Sequence, residues 1–132
     1  MKILVIEDRA VDLKLANLVL STAGHDVSAV EAAEQAFAAI QEDHPQLILL
    51  DLDLPGMDGI ALVRKLKADP DTRDICVVAV TFDPEQYPKA AALAAGCDAY
   101  LLKPINTREL SSQLAAVAEG GGGQLAGERK TP

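Results

Sequence analysis

Five short apolar runs, separated by helix-like segments, constrain the fold of this 132-residue chain most strongly. Three of the runs, ILVI, LILL and ICVVAV, are continuous rather than alternating in polarity. Continuous runs are typical of strands that are covered on both faces in a parallel sheet. The predicted strands cover residues 2–6, 25–30, 47–52, 75–80 and 99–102.

The segments between these runs have the spacing of amphipathic helices. Val11, Leu15 and Leu18 recur at i, i+4 and i+7, which predicts the buried face of the first helix. Similar stripes are formed by Ala33, Ala36, Phe37 and Ile40, and by Leu110, Leu114 and Val117. Gly24 and Gly96 follow two helical segments, where a left-handed C-terminal residue favours glycine. Strict alternation of strands and helices predicts an α/β domain with a doubly wound parallel sheet.

Two helix starts are indicated by capping residues. Asn106, with Glu109 three residues later, predicts an N-cap with a capping-box partner. Asp83 followed by Pro84 is another N-cap pattern, but Pro88 would remove a backbone hydrogen bond from the first turns of that helix. We therefore expect the fourth helix to begin near Pro88 or to be kinked.

Composition limits the classes of function. A chain of 132 residues indicates one domain, here residues 1–119, and the glycine-rich residues 120–132 predict a flexible tail. The formal charge of −8 opposes direct binding to nucleic acid. No apolar run approaches the roughly 18 residues that span a bilayer, so we expect a cytoplasmic protein without membrane contact. Cys76 and Cys97 lack the spacing of a zinc site.

Polar residues follow the predicted strands, and ligands of doubly wound sheets bind outside the carboxyl ends of strands. Glu7 and Asp8 follow the first strand, and Asp51 lies near the end of the third. Thr81 and Lys103 end the fourth and fifth strands. Carboxylates that are held together repel unless a cation neutralises them, and Mg²⁺ suits such a site. We therefore expect a magnesium site at this edge.

Asp51 is the candidate nucleophile, because a carboxylate can attack phosphorus to give an acyl phosphate. Lys103 would compensate the charge of a phosphoryl oxygen, and Thr81 would donate its hydroxyl to another. Each residue also has a structural interpretation. Asp8 and Asp58 could cap helices, Thr81 could be an ordinary strand residue, and Lys103 could be a solvated lysine before a helix-start proline.

The chain resembles the receiver domains of two-component response regulators over roughly residues 1–119. The matching motifs are, in order, ILVIEDR, LLDLDLPGMDG, AVT and GCDAYLLKPI. The resemblance implies a flavodoxin-like sheet of five parallel strands, in the order 2-1-3-4-5, with five helices. It also implies a single-domain signalling switch rather than a turnover enzyme.

The resemblance further implies roles for individual residues around a Mg²⁺ ion. Asp51 corresponds to the phosphoacceptor, and Asp8 and Asp51 correspond to the pair of magnesium carboxylates. Glu7 would act through a water molecule, and the backbone carbonyl of Asp53 would complete the protein ligands. The donor would be the phosphohistidine of a histidine kinase or of a histidine phosphotransfer protein, and the output a contact with a downstream protein.

The same resemblance makes Thr81 the switch hydroxyl and Lys103 the phosphate-binding lysine. Tyr100 matches a switch aromatic residue that turns inward as Thr81 moves to the phosphoryl group, and Pro104 would follow a cis peptide bond. Phe82 departs from the family, in which the residue after the switch hydroxyl is usually small. Its ring either shields Asp51 or points outward as a partner contact.

Two alternatives remain open at this stage. Asp51-Leu52-Asp53 forms a D-x-D motif after an apolar strand, which is similar to phosphatases of the haloacid-dehalogenase type. In those enzymes the first Asp is the nucleophile and the second is the general acid/base. The other alternative is a receiver-like interaction module that is not phosphorylated.

Overall fold

The computed structural model describes residues 1–120 as five parallel strands that alternate with five α-helices. In chain order the elements are β1 Lys2–Ile6, α1 Ala10–Thr22, β2 Asp26–Val30, α2 Ala36–Glu42, β3 Leu47–Asp51, α3 Gly59–Ala68, β4 Cys76–Thr81, α4 Lys89–Ala95, β5 Ala99–Leu102 and α5 Leu110–Ala118. The strand order is β2-β1-β3-β4-β5, so the predicted flavodoxin-like fold is confirmed. The predicted tail lies outside the described residues from position 121 onward.

The continuous apolar runs arise because both faces of the central strands are buried. All five residues of β3 are buried. Ile48 and Leu50 pack into a core layer with residues of α2, α3 and α4, whereas Leu47 and Leu49 pack into a second layer with residues of α1 and α5. Alternate residues of a strand point to opposite faces, so two helical layers require an apolar residue at every position.

The buried face predicted for α1 is wrong. Val11 is 77% exposed and Leu18 is 65% exposed, and Leu15 is also exposed. The helix instead buries Ala16 and Leu20, which share the same helical spacing. Because α1 has apolar residues on both sides, periodicity alone does not identify the side that meets the sheet. A transmembrane helix is absent from residues 1–120, where α1, the longest helix, has 13 residues.

The predicted helix ends are largely confirmed. Gly24 and Gly96 have left-handed backbone conformations, with φ of 98° and 118°. Helix α4 begins directly after Pro88, as expected from the proline. Asp83 caps a separate turn, because its Oδ1 accepts a hydrogen bond from the N–H of Gln86 at 3.1 Å. The segment between β4 and α4 is therefore a turn rather than the first part of a helix.

The capping box predicted for α5 is not formed. Asn106 Oδ1 accepts a hydrogen bond from the N–H of Arg108 at 2.9 Å, so Asn106 does cap the local backbone. The helix begins one turn later, at Leu110, and Glu109 makes no side-chain cap. The Asn106 bond closes a tight turn before the helix, and this turn moves Glu109 away from the position at which it could return a hydrogen bond.

Candidate functional site

The polar residues predicted at the strand ends lie together at the carboxyl edge of the sheet. Strand register places the end of β1 beside β3, and Asp51 beside Val80 of β4. Thr81, the last residue of β4, pairs with Leu102, directly before Lys103. Three adjacent strand pairs therefore bring residues that are distant in sequence to one small region.

Three carboxylates form the centre of this region. The side chains of Glu7, Asp8 and Asp51 each have an oxygen within 4.8 Å of the others. Glu7 and Asp51 are buried, whereas Asp8 is exposed. Helix α1 begins without a side-chain cap, so Asp8 is not its capping residue. Asp58, by contrast, caps α3 by accepting a hydrogen bond from the N–H of Ile60 at 2.9 Å, and its structural interpretation is confirmed.

Asp51 is incompletely satisfied. Its Oδ1 accepts a hydrogen bond from the N–H of Asp53 at 2.9 Å. Its Oδ2 is buried and has no hydrogen-bond partner among residues 1–120. Burial, followed by the interaction with Glu7, raises the pKa of Asp51 to about 6, although Lys103 and the Asp53 N–H act in the opposite direction. Such a shift is common where a protein places a carboxylate for chemistry rather than for stability.

Lys103 is the cation that lies within this cluster. Its Nζ donates to Glu7 Oε1 at 2.8 Å and to Asp12 Oδ2 at 3.0 Å, and it lies 3.5 Å from Asp51 Oδ2. Burial lowers the pKa of Lys103. The hydrogen bonds to Glu7 and Asp12 and the nearby charge of Asp51 together raise this pKa by more than burial lowers it, so the pKa lies above its ordinary value. The lysine is therefore held as a charged group directly beside Asp51. The peptide bond from Lys103 to Pro104 is cis, as the resemblance implies.

Asp12 is a site residue that the sequence analysis missed. It lies in the first turn of α1, five residues after Glu7, and this turn faces the same edge of the sheet. An acidic residue in a first helical turn is usually attributed to the helix dipole. Its position one turn after the β1 motif is the signal that could have indicated a contact with Lys103.

Asp53 contributes its side chain to the site. Its carboxylate accepts hydrogen bonds from Thr81 Oγ at 2.9 and 3.0 Å and from the N–H of Phe82 at 3.1 Å. Burial raises the pKa of Asp53, and the hydrogen bonds from Phe82 and Thr81 partly oppose this rise. Thr81 is fully buried, and its oxygen also accepts from the N–H of Asp83 at 2.9 Å. The role predicted for the backbone carbonyl of Asp53 stays a prediction.

Phe82 and Arg9 form a pair above the site. The guanidinium carbon of Arg9 lies 4.4 Å from the centre of the Phe82 ring, which is a cation–π contact. Phe82 is 48% exposed, so its ring is not inserted among the carboxylates. The contact joins the loop after β1 to the loop after β4, and Arg9 is a second residue that the sequence analysis missed.

Tyr100 is buried and directed inward from β5. Its hydroxyl donates to the backbone carbonyl of Tyr87 at 2.5 Å. This bond fastens the turn before α4 to the sheet. Tyr100 lies two positions before Leu102, which is the register partner of Thr81. The structure therefore links Tyr100 to the turn that follows Thr81 and Phe82.

The donor set fits a magnesium ion. Mg²⁺ prefers oxygen ligands and is commonly bound by one or two carboxylates together with water and phosphate oxygens. Glu7, Asp8 and Asp51 provide such oxygens within a small region. The Asp51 Oδ2, which is buried and accepts no hydrogen bond among residues 1–120, could serve as a metal ligand. Asp8 is exposed, so the ion could keep water ligands on that side.

An apolar groove opens beside the site, between α1 and the loop before α5. It has a volume of about 310 Å³. Leu15, Ala16, Val19, Ile105 and Leu110 line its length, and Arg9, Asp12, Phe82 and Lys103 lie at its charged end. The exposed residues Val11 and Leu18 continue the apolar surface along α1.

Comparisons with known proteins agree with this geometry. The family model of the response regulator receiver domain matches residues 3–115. The chain is 40% identical over 115 residues to the phosphate regulon transcriptional regulatory protein PhoB of Pseudomonas aeruginosa, a match that covers 87% of this chain and 50% of that protein. The chain thus spans about half the length of the curated relatives it matches.

Solved structures give the same result for the fold. A putative response regulator from Chloroflexus aurantiacus matches with a TM-score of 0.83 at 27% identity, over 89% of this chain and 97% of that one. The receiver domain of the sensor histidine kinase PA1611 from P. aeruginosa matches with a TM-score of 0.80 at 28% identity, over 90% of this chain and 98% of that one. That domain is described with a magnesium ion coordinated in its active site cleft.

Proposed function

This chain belongs to the response regulator receiver domain family, and we propose that it is a signalling switch whose Asp51 accepts a phosphoryl group from a phosphohistidine donor. The observation that carries this proposal is the buried, incompletely satisfied carboxylate of Asp51 between two other carboxylates and Lys103. A buried carboxylate whose hydrogen-bonding capacity is only partly satisfied costs stability and persists where it has a use.

The reaction is a direct phosphoryl transfer. An oxygen of the Asp51 carboxylate forms a bond to phosphorus while the bond between phosphorus and the imidazole nitrogen of the donor breaks, and the nitrogen keeps the electron pair. Lys103 lies 3.5 Å from Asp51 Oδ2 and would balance charge on the transferred oxygens. Thr81 supplies a hydroxyl donor at the same edge.

Asp8 and Asp51 would hold Mg²⁺, with Glu7 acting through water and the Asp53 backbone carbonyl as a further ligand. When bound, Mg²⁺ supplies positive charge that lets the carboxylates remain ionised together and compensates the phosphoryl oxygens. The magnesium ion described for the PA1611 receiver domain supports this assignment.

The signal would pass from Asp51 through the loop after β4. Thr81 and Phe82 begin this loop, and the bond from the Tyr100 hydroxyl to Tyr87 fastens its far end. Movement of Thr81 toward a phosphoryl group would shift the loop relative to Tyr100, which is the switch aromatic residue of the proposal. Two states that differ by a few kcal/mol suffice for such a switch.

The apolar face of α1 supports docking of the phosphodonor protein. Val11, Leu15 and Leu18 expose apolar side chains in a row, and the groove beside them leads to Lys103. A histidine kinase or histidine phosphotransfer protein must bring its imidazole to Asp51, and an apolar surface directly beside the site can hold it there. A downstream protein would receive the signal by direct contact, without direct binding to nucleic acid or to a membrane.

The phosphatase alternative is less well supported. It requires the Asp53 carboxylate as a proton donor to the leaving group, but that carboxylate accepts hydrogen bonds from Thr81 and Phe82. Both oxygens of this carboxylate are therefore engaged with Thr81 and Phe82 and do not face a leaving group. The family match over residues 3–115 also supports a signalling domain.

Phosphorylation is tested by incubating the protein with Mg²⁺ and either acetyl phosphate or a phosphorylated histidine donor, and then measuring intact mass. The expected result is the addition of one phosphoryl group to the wild-type chain and none to Asp51→Asn. Asp53→Asn serves as a second acidic variant and retains the modification. If the wild type gains no mass with either donor, the interaction-only alternative replaces the proposal.

A further inference from the structure

We propose that the Asp53 carboxylate is a built-in competitor of the phosphoryl group for two hydrogen-bond donors, the Thr81 hydroxyl and the Phe82 N–H. The inference rests on the proposed function, because it takes Asp51 as the residue that carries the phosphoryl group. It concerns a positioning residue, since Asp53 would act through Thr81 and Phe82 rather than on the transferred atoms.

Both donors are already occupied by Asp53. Thr81 Oγ lies 2.9 and 3.0 Å from the two oxygens of Asp53, and the N–H of Phe82 donates to Oδ2 at 3.1 Å. A hydroxyl and a backbone N–H have one proton each. The Thr81 oxygen accepts from the N–H of Asp83 at 2.9 Å, which leaves its own proton for Asp53. A phosphoryl oxygen can take these donors only when the bonds to Asp53 break.

Electrostatic repulsion adds to this competition. A phosphoryl group brings roughly −1.5 to −2 charges at neutral pH. Asp53 follows Asp51 by two residues, and its N–H donates to Asp51 Oδ1 at 2.9 Å, so its own charge lies close to the acceptor. Charge-assisted hydrogen bonds are also stronger than neutral ones. The phosphoryl group must therefore displace the Asp53 carboxylate, which is also negatively charged, before it accepts a hydrogen bond from Thr81.

The contacts of Asp53 differ from those of an ordinary structural aspartate. Asp58 and Asp83 each accept a hydrogen bond from a backbone N–H two or three residues later, which is the usual pattern of a cap or turn. Asp53 instead reaches across to the end of β4, where its two donors lie 28 and 29 positions later in the sequence. Its removal leaves no helix uncapped, so a change at this position acts on the switch itself.

The test is a titration with beryllium fluoride in the presence of Mg²⁺, because this anion binds a carboxylate as an analogue of a phosphoryl group. The variants are Asp53→Ala, Asp53→Asn, which keeps an acceptor oxygen without charge, and Asp83→Asn as the control for loss of a nearby charge. Binding is followed by the nitrogen–proton NMR signal of the Phe82 amide, which reports directly on its hydrogen bond. Thermal unfolding of each variant verifies that it is folded.

We expect Asp53→Ala to reach half-saturation at a beryllium fluoride concentration about tenfold lower than the wild type, given the strength of a hydrogen bond to a charged group. Asp53→Asn is expected between the two. Asp83→Asn is expected within about twofold of the wild type, because the Asp83 carboxylate accepts from the Gln86 N–H and not from either of the two donors, and its backbone N–H is kept. The free Asp53→Ala protein should already show a displaced Phe82 amide signal.

Two results would overturn the inference and are distinguishable. If the wild type binds beryllium fluoride and both Asp53 variants bind it no more tightly, the competition is absent but the proposed function stands. If neither the wild type nor Asp53→Ala binds the anion, the proposed function fails together with the inference.

Discussion

Asp51 ends β3, whose five residues are all buried, and only one of its carboxylate oxygens has a hydrogen-bond partner among residues 1–120. The Glu7 carboxyl group interacts with the Asp51 carboxylate, and Lys103, the nearby cation, also forms ion pairs with Glu7 and Asp12. Without a cation, this arrangement concentrates negative charge where solvent cannot screen it. The residue that carries the proposed chemistry is thus also a residue that costs the fold stability.

Asp51→Asn is expected to stabilise the metal-free protein. The folded-state pKa of about 6 lies above the ordinary value of 3.8, so the ionised carboxylate is less favourable in the folded state than in the unfolded state. The contribution of Asp51 to wild-type stability therefore falls as the pH rises from about 4 through about 6, and this penalty is fully present above that range. We expect a gain of about 1–3 kcal/mol at pH 7.5, on the basis of 1.36 kcal/mol per pKa unit.

The measurement is urea unfolding of both proteins in a chelating buffer at several pH values. The advantage of Asp51→Asn should shrink as the pH is lowered from about 6 to 4, because the wild-type carboxylate becomes protonated. An advantage that is constant across this range would contradict the assignment of the strain to the charge of Asp51.

Phe82→Ala is expected to shorten the lifetime of the phosphorylated state. The ring and the Arg9 guanidinium, 4.4 Å apart, bridge the two loops that flank the site, so their separation would admit water. We expect hydrolysis about twofold to fivefold faster, which corresponds to the loss of an exposed cation–π contact of about 0.5–1 kcal/mol. Phe82→Leu is the matched control, since it keeps bulk but removes the ring. Equal lifetimes for Phe82→Ala and the wild type would exclude this barrier.

At the scale of elements, the strands were predictable and the orientation of α1 was not. Burial on both faces leaves continuous apolar runs in β1, β3 and β4, and few other structures produce that pattern. Helix α1 carries apolar residues around most of its surface, and the pattern does not state which of them are covered. In the folded protein Ala16 and Leu20 are the residues of α1 that pack into the core layer against the sheet.

Leu18→Gln tests the exposed face of α1. Because Leu18 is 65% exposed, we expect its replacement to change the free energy of unfolding by less than about 0.5 kcal/mol, as for most surface substitutions. The fully buried Leu20 on the same helix gives the contrast, since Leu20→Ala should cost about 2–5 kcal/mol. Transfer from a protein phosphodonor should slow in Leu18→Gln, whereas the reaction with acetyl phosphate should not. Parallel changes with both donors would argue against a docking role.

Tyr100→Phe tests the attachment of the turn before α4. The buried hydroxyl donates to the Tyr87 carbonyl at 2.5 Å, and its loss should cost about 0.5–1.5 kcal/mol, the net contribution of a typical hydrogen bond. Hydrogen exchange of amides in residues 83–88 should accelerate. Tyr87→Phe is the control, because the Tyr87 hydroxyl has a long contact of 3.4 Å with Gln86. Faster exchange in the control alone would place the attachment elsewhere.

The site was predictable where it follows from strand ends. Glu7, Asp51 and Thr81 were found because parallel strands bring their carboxyl ends to one edge. Arg9 and Asp12 were missed, because their contacts depend on how far a long side chain or a first helical turn reaches across that edge. For Asp12 the sequence offers one signal, its position one turn after the β1 motif.

At the scale of the whole molecule, the site contributes strongly to an uneven charge distribution. The chain has a formal charge of −8, and the carboxylates of the site share one lysine. A divalent cation should therefore stabilise the folded state as a whole, because it binds the folded site and has little affinity for the unfolded chain.

Mg²⁺ at ten times its dissociation constant is expected to raise the free energy of unfolding by about 1.4 kcal/mol, as follows from linkage for one site. The measurement is thermal or urea unfolding with Mg²⁺ and with NaCl of equal ionic strength. Asp8→Asn should lose the effect, and Asp71→Asn, which removes an exposed charge from the turn between α3 and β4, should keep it. Equal stabilisation by the two salts would indicate general screening instead of a site.

The hydrogen bond between Lys103 and Glu7 joins residues that are 96 positions apart. Because the lysine follows the last strand and the glutamate follows the first, this hydrogen bond forms only when both strands are in place. In a chain that ends before position 103, Asp51 would lack the lysine that lies 3.5 Å from its Oδ2. Under the proposed function, phosphorylation of Asp51 would therefore depend on the completed sheet, and a phosphodonor that recognises the assembled edge would signal through folded molecules.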